Sequence, residues 1–309
     1  MNRPVHNHSH SRSQTARPAG AARQRQWDWR AAGNFIGGGT GSALVLVSAL
    51  AALLLPGSPP PALPLLVGMA SVAAGLSLVW LEIGKPWRAL NVFFHPQTSW
   101  MTREGIVAGP LLACTAAAAW SGSAATLLAA ALLGALYLYC QARILRASRA
   151  IPAWSHPRVV PLMLTCGLAE GCAALLLLGG AGSPALTALA LAAAVARELA
   201  REAYRSGLVA SAAPAPTLAW FTHPATRVLQ GLRAVAALLL LAALAGWGGG
   251  AAAALGGALL LATGWALKLI LITRAAYRRG AQMLHAPVRG QPSAASVGLP
   301  LGAPGAGRR

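Results

Sequence analysis

Acidic side chains are scarce in this chain. Asp and Glu together number 6 among 309 residues, against 25 Lys and Arg, and charged residues of all kinds make up 10%. Soluble domains carry about a quarter of their residues as charges, so the composition argues against an ordinary water-soluble globule. Cysteine is scarce too. Cys114, Cys140, Cys166 and Cys172 form no C-x-x-C pair and lie in apolar stretches, whereas an iron–sulfur cluster takes thiolates converging from short spacings. They read as packing residues, and no cluster is expected in this chain. Histidines within the apolar runs are also lacking, because His95, His156 and His223 sit in links, each directly before a proline. A transmembrane haem takes its imidazoles from inside helices, so neither haem nor another metal is expected. The formal net charge is +19, yet the cations occupy short links rather than a soluble basic domain, which argues against nucleic acid as a partner.

What the chain has in abundance is apolar sequence, at 56% of residues. Eight apolar runs lie at roughly 33–55, 62–83, 103–120, 123–142, 158–179, 184–205, 226–247 and 249–273. Each suits a bilayer crossing, which needs roughly 20 residues. The N-terminal tail, the second-to-third, fourth-to-fifth and sixth-to-seventh links, and the C-terminal tail are assigned every cation, and the other links none. Basic flanks stay on the cytoplasmic side, and attraction to anionic inner-leaflet lipid adds about 1 kcal/mol per cation. The expectation is an all-α integral membrane protein of the bacterial inner membrane. It has eight transmembrane helices built from repeated hairpins, and both termini are cytoplasmic. Disordered tails at 1–30 and 281–309 flank a membrane domain at 31–280. No cleavable signal is expected, since a tail of about 30 residues precedes the first long apolar run.

The hairpin repeat rests on two echoes. His-Pro pairs at 95–96, 156–157 and 223–224 each precede an odd-numbered run, and Arg201 to Gly207 (REAYRSG) resembles Arg274 to Gly280 (RAAYRRG). Either these mark duplicated hairpins, or His-Pro simply starts a helix and Tyr-Arg anchors its end. In the first run, Gly33, Gly37 and Gly41 fall on one helical face, where another backbone can approach closely. No strand precedes them and no acid follows at dinucleotide spacing, so they do not form a nucleotide-binding loop.

Five of the six acids, Glu82, Glu104, Glu170, Glu198 and Glu202, lie inside or at the ends of runs. A charge at mid-bilayer costs at least about 2.5–3.5 kcal/mol, so such groups are paired, protonated or functional. Counted along the helix axes, Glu198 and Arg233 fall at similar depth and are expected to pair. Glu170 lies deeper, with Arg197 as its expected partner. These are structural ion pairs or steps on a proton path.

The densest chemistry runs from Glu82 through Glu104, in LEIGKPWRALNVFFHPQTSWMTREG, where Glu82, Lys85, Trp87, Arg88, His95, Trp100, Arg103 and Glu104 gather around one loop. Rings there can stack on a flat ligand. Arg or His can donate to a carbonyl oxygen, and a glutamate can accept a hydroxyl proton. A quinone needs these groups, though interfacial anchoring and a helix-start cap explain the same residues.

This stretch resembles the membrane anchor family of dimethyl sulfoxide reductase, related to the membrane subunit of polysulfide reductase. Leu81 to Leu90 (LEIGKPWRAL) looks like the family's segment His, Leu, Gly, x, Pro, x, Arg, Ala. Ser99 to Glu104 (SWMTRE) looks like its Ser-rich element ending in Arg or Asn followed by Glu, and Ile151 to Trp154 (IPAW) fits a loop motif after the fourth helix. The resemblance implies an anchor for two partners, a four-cluster ferredoxin-like iron–sulfur subunit and a molybdopterin catalytic subunit. Menaquinone or ubiquinone then binds near Glu104. Arg88, His95 and Arg103 polarise its oxygens, Trp87 or Trp100 lines the pocket, and Glu82 exchanges protons.

Two departures from the family stand out. Its histidine before Leu-Gly is here Glu82, which donates a hydrogen bond only when protonated. Its loop faces the periplasm, whereas the cations turn this one inward, which implies cytoplasmic partners. Trp27 to Phe35 (WDWRAAGNF) looks like membrane subunits of phenylacetyl-CoA:acceptor oxidoreductase, whose substrate is cytoplasmic. The alternative is a small-solute or lipid transporter using Glu170, Glu198 and Arg233.

Overall fold

The computed structural model describes residues 21–55, 61–82 and 94–278, with Glu82 described by its backbone alone. Among them are eight long helices: α1 (Trp29–Leu54), α2 (Ala62–Glu82), α3 (Trp100–Ser121), α4 (Ala124–Ala147), α6 (Val159–Leu177), α7 (Pro184–Ala210), α9 (Pro224–Leu244) and α10 (Gly249–Leu269). Short helices α5 (Pro152–Ser155) and α8 (Ala215–Thr222) precede α6 and α9, and α10 continues into a π-turn, Ile270–Arg274. Six helices, α1, α2, α4, α6, α9 and α10, are long and apolar enough to cross a membrane. By length and composition this is a multi-pass membrane protein. Helices α3 and α7 match them in length but not in hydropathy. Arg197, Glu198, Arg201, Glu202 and Arg205 load α7, and in α3 Arg103 and Glu104 precede an alanine-rich rather than leucine-rich run.

Local sequence sets the helix ends. The Asp28 carboxylate accepts the Arg30 N–H at 2.8 Å, and Ser99, Ser123 and Ser183 cap α3, α4 and α7 in the same manner. Side-chain acceptors suit the unpaired N–H groups of a first turn. Between α3 and α4 the chain turns at Gly122, whose φ of 60° lies in the left-handed region. One His-Pro pair caps a helix, since Nδ1 of His223 accepts the Ala225 N–H of α9 at 3.2 Å; Nδ1 of His156 accepts the Arg158 N–H, also at 3.2 Å, in the turn before α6. Either bond needs an unprotonated Nδ1. For His156, burial first and then the neighbouring Arg158 and Arg146 lower the pKa below its ordinary 6.5, which preserves the acceptor. The tyrosine echo ends in two different structures. Tyr204 donates from α7 to the Ala153 carbonyl at 2.6 Å, while Tyr277 sits in a two-residue strand.

That strand, β2 (Tyr277–Arg278), pairs antiparallel with β1 (Ala22–Arg23). Gln24 is buried and donates to the carbonyls of Trp27 and Ile272. Trp27 stacks on Trp154 at 4.7 Å, and Trp154 in turn donates to the Leu271 carbonyl at 3.0 Å. The expected disordered tail through residue 30 is therefore corrected. Residues 21–28 are clasped to α5 and the end of α10, and Trp29 already begins α1. The remaining tail residues, 1–20 and 279–309, lie outside the described residues.

Helix α1 is the hub, packing on α2, α4, α6 and α10. Its glycine face meets α2 almost backbone to backbone. A methyl group added at Gly37 would lie 2.7 Å from the Ser71 carbonyl oxygen, and one at Gly41 would lie 2.5 Å from that of Gly68. Neither oxygen can retreat without moving a helix. Gly41→Val is therefore expected to lower stability by about 1–3 kcal/mol, the usual range for overpacking, read as unfolding of the purified protein in detergent. The control Gly109→Ala, whose added methyl meets nothing within 4 Å, should cause no such loss.

Candidate functional site

Two buried carboxylates flank α1, and their surroundings differ. Helix α3 delivers the first. Trp100 opens the helix at the membrane-flanking loop, and two guanidiniums stack on its ring, Arg103 at 4.1 Å and Arg143 of α4 at 4.4 Å. Arg103 also donates to the carbonyls of Pro96 and Gln97, both at 2.8 Å, so its charge is tied to the loop. Arg143 Nη1 donates to the Tyr139 hydroxyl at 2.5 Å. Cation–π contacts contribute about 0.5–2 kcal/mol each, enough to hold this cluster in place.

One residue on, the helix turns Glu104 inward, where it is 5% exposed. Gln141 Nε2 of α4 donates to Glu104 Oε1 at 3.0 Å and to the Asn34 carbonyl of α1 at 3.1 Å. Tyr137, one turn earlier on α4, faces the same carboxyl group. Its hydroxyl, Gln141 Oε1 and Asn34 Oδ1 are all buried without a hydrogen-bond partner. Unpaired buried polar atoms are few in native proteins and call for an explanation. Here three of them gather around one carboxyl group.

The second carboxylate, Glu170 of α6, is wholly buried, as is Lys268 of α10. Lys268 Nζ donates to Glu170 Oε2 at 2.6 Å, and the Thr40 hydroxyl of α1 donates to the same oxygen at 2.6 Å. Trp265 Nε1 then donates to Thr40 Oγ1 at 2.9 Å. This corrects two expectations. The partner of Glu170 is Lys268, not Arg197, and Lys268 lies inside α10 rather than in a cation-bearing tail. Arg197 instead donates to the Leu260 carbonyl at 3.0 Å and to the Thr263 hydroxyl at 3.3 Å.

Gly38 and Gly39 separate the two groups. A methyl at Gly39 would lie 2.5 Å from Lys268 Nζ and 3.2 Å from Gln141 Oε1, and a methyl at Gly38 would collide with Gln141 Nε2. The bare backbone of α1 thus lets side chains from α4 and α10 approach from either side.

The structure also brings Glu198 and Arg233 together. Glu198 Oε1 lies 3.0 Å from Arg233 Nε and 3.5 Å from Arg197 Nε, while its Oε2 lies 2.8 Å from Arg201 Nε. Of the loop residues expected to form one site, Trp100, Arg103 and Glu104 are near neighbours, whereas His95 is exposed in the preceding turn. The Glu82 side chain, Lys85, Trp87 and Arg88 fall outside the described residues.

Asn34, Tyr137, Gln141 and Arg143 escaped the sequence reading, as did the Lys268–Thr40–Trp265 group. Lys268 carried a legible signal, a lone cation within an apolar run. The neutral polar residues carried none.

A buried pair is broken at greater cost than it is removed. Glu170→Gln should strand the Lys268 ammonium and cost about 3–5 kcal/mol. The double variant Glu170→Leu with Lys268→Met should recover most of that loss, and a thermal scan of each in the same detergent compares them.

A scan against models of known protein families finds no match for this chain, and a search of curated proteins finds no relative.

Proposed function

We propose that this chain is the quinone-reactive membrane anchor of an oxidoreductase. The observation that carries the proposal is Glu104, a buried carboxyl group with only neutral partners, set one residue inside a Trp100–Arg103–Arg143 stack. Quinone reduction takes up two electrons and two protons, and the residues here suit the proton half. The Tyr137 hydroxyl faces the Glu104 carboxyl group and can donate to a carbonyl oxygen. Glu104 can pass a proton to a reduced oxygen, while Gln141 orients the carboxylate through its amide. Arg103 positions the loop before α3 by holding its carbonyls. Arg88, His95, Trp87 and Glu82 complete the site by the resemblance already described. Electrons come from the docked four-cluster iron–sulfur subunit, which receives them from a molybdopterin subunit oxidising a cytoplasmic substrate of the phenylacetyl-CoA type. The chain itself binds neither haem nor an iron–sulfur cluster.

In this proposal all eight long helices cross a bacterial inner membrane, and both termini are cytoplasmic. Helices α3 and α7 pack among the six apolar helices, against α4 and against α6 and α9 respectively, as spans do. A fluorescent protein fused to the C-terminus should light up in cells, and alkaline phosphatase fused there should stay inactive. The opposite pattern would overturn the orientation and with it the cytoplasmic partners.

Glu104→Gln tests the site. Assembly with the partner subunits should persist, while quinone-linked turnover of the purified complex should fall at least about a hundredfold, the scale on which removal of a general acid or base acts. Normal turnover would reject the assignment.

A second reading, a small-solute or lipid transporter, is favoured by one observation: the fully buried Glu170–Lys268 pair, since ionisable groups at membrane depth mark transport pathways. Metal analysis of the affinity-purified complex separates the two. Iron with molybdenum or tungsten supports the anchor, and purification without them supports transport.

A further inference from the structure

Two motifs of the sequence stand outside the sites described above, IPAW at 151–154 and the second tyrosine echo, which starts at Arg274. The fold brings them together, because β2 packs on α5. A cleft of about 420 Å3 is lined there by Arg149 and Ala150 of the link after α4, Pro152 and Ser155 of α5, and Arg278 of β2. The strand is held in place by its pairing with β1 and by the bonds of Gln24 and Trp154 to the turn before it. Arg149 and Arg278 are both exposed. Among the described residues neither guanidinium has a hydrogen-bond acceptor or an ion-pair partner, and the Ser155 hydroxyl has no partner either.

Charge around the cleft is of one sign. Arg23 lies opposite Tyr277 across the strand pair, and Arg146 stands in the last turn of α4, both exposed. The chain has no carboxylate to spare for these cations. Asp28 pairs with Arg30, Glu198 and Glu202 are engaged by arginines of their own, and Glu104 and Glu170 are buried. Glu82 ends α2, which packs on α1 and α3, and residues 1–20 and 279–309 contain neither Asp nor Glu. A cleft lined by one sign of charge concentrates counter-ions, so the anion that suits it comes from outside the chain. Arg149, Ser155 and Arg278 offer donors from three separate segments. A phosphate group has enough acceptor oxygens to meet them together, with guanidinium forks taking its oxygens in pairs and the hydroxyl donating one hydrogen bond. A single carboxylate is used up by one fork. The cleft is also roomier than a bare phosphate requires, and Ala150 and Pro152 supply carbon for the esterified part of the ligand to lie against.

We propose that this cleft binds a phosphate monoester, whose oxygens bridge Arg149 and Arg278 and accept from the Ser155 hydroxyl. A lipid headgroup at the membrane surface and a small soluble ester present the same chemistry, and the experiment separates the two sources. The site shares no residue with the Glu104 region, and its occupancy does not depend on quinone chemistry.

The test uses the full chain purified in detergent. Binding of glycerol phosphate and of glutamate is read by titration calorimetry. In a second arm the chain is placed in nanodiscs of dioleoylphosphatidylcholine with or without dioleoylphosphatidic acid, and retention of the acidic lipid is read by native mass spectrometry. Binding of glycerol phosphate identifies a soluble source, and retention of phosphatidic acid alone identifies a headgroup; either supports the proposal. The double variant Arg149→Gln with Arg278→Gln replaces two exposed side chains, so the fold should persist, and binding should weaken by at least about tenfold, the scale of one lost hydrogen bond to a charged group. Arg227→Gln removes an exposed cation of α9 that does not line the cleft and should leave binding unchanged. No binding in either arm overturns the proposal, as does undiminished binding in the double variant or equal weakening by Arg227→Gln. Glutamate bound as tightly as glycerol phosphate overturns it too, and marks the cleft as a seat for an acidic protein segment.

Discussion

The Glu170–Lys268 pair is the interaction to which the packing around α1 answers. At 2.6 Å and without solvent contact, it has no water to relieve any mismatch. Each charge alone at this depth costs several kcal/mol, and only close approach with supporting hydrogen bonds offsets that. The neighbours follow from this requirement. Thr40 and Trp265 supply the next hydrogen bonds in line. Glycines stand where any side chain would intrude: a methyl at Gly39 would lie 2.5 Å from the Lys268 ammonium, and one at Gly264 would lie 2.6 Å from Glu170 Oε1. The small residues of α1 and α10 are thus a steric condition of the ion pair as well as of helix packing.

The contrast between the two carboxylates separates their roles. Glu170 has a cation at contact distance, Lys268 at 2.6 Å. Glu104 has an amide and a phenol instead, and the nearest guanidinium in sequence, Arg103, is spent on loop carbonyls and on Trp100. A group that must gain and lose protons during turnover is better served by neutral partners, whose hydrogen bonds adjust without exposing a bare charge. The proposed proton exchange therefore belongs to Glu104, and Glu170 belongs to the architecture.

The sequence made the long helices legible because each needs only a sustained apolar run, and the face of Gly33, Gly37 and Gly41 was legible because a spacing of four returns to the same side of a helix. The meeting of Glu198 with Arg233 could be read from depth along the axis. The partner of Glu170 could not. Arg197 and Lys268 both lie within reach in depth, and the choice between them depends on the rotation of α7 and α10 about their own axes. Helix packing fixes that rotation, and local sequence does not. Gln141 and Tyr137 were invisible for a related reason, since polar residues without charge become site residues only through the neighbours they meet. The clasp of residues 21–28 depends on Trp154 and Ile272, far away in the chain, so its polar composition reads as a loose tail.

Helix α7 bears on how a charged segment can still suit a bilayer. Its apolar residues Leu189, Val195, Leu199 and Val209 are exposed, whereas Arg197 is 1% exposed and turned into the bundle. There the guanidinium meets a backbone carbonyl and a threonine hydroxyl of α10, so its charge is solvated by protein rather than by lipid. Mean hydropathy counts that arginine at full cost, because the average along a sequence has no inside and outside. By turning Arg197 inward and Leu189, Val195, Leu199 and Val209 outward, α7 presents a surface more apolar than its composition. The low hydropathy of α7 is therefore compatible with the eight-crossing arrangement.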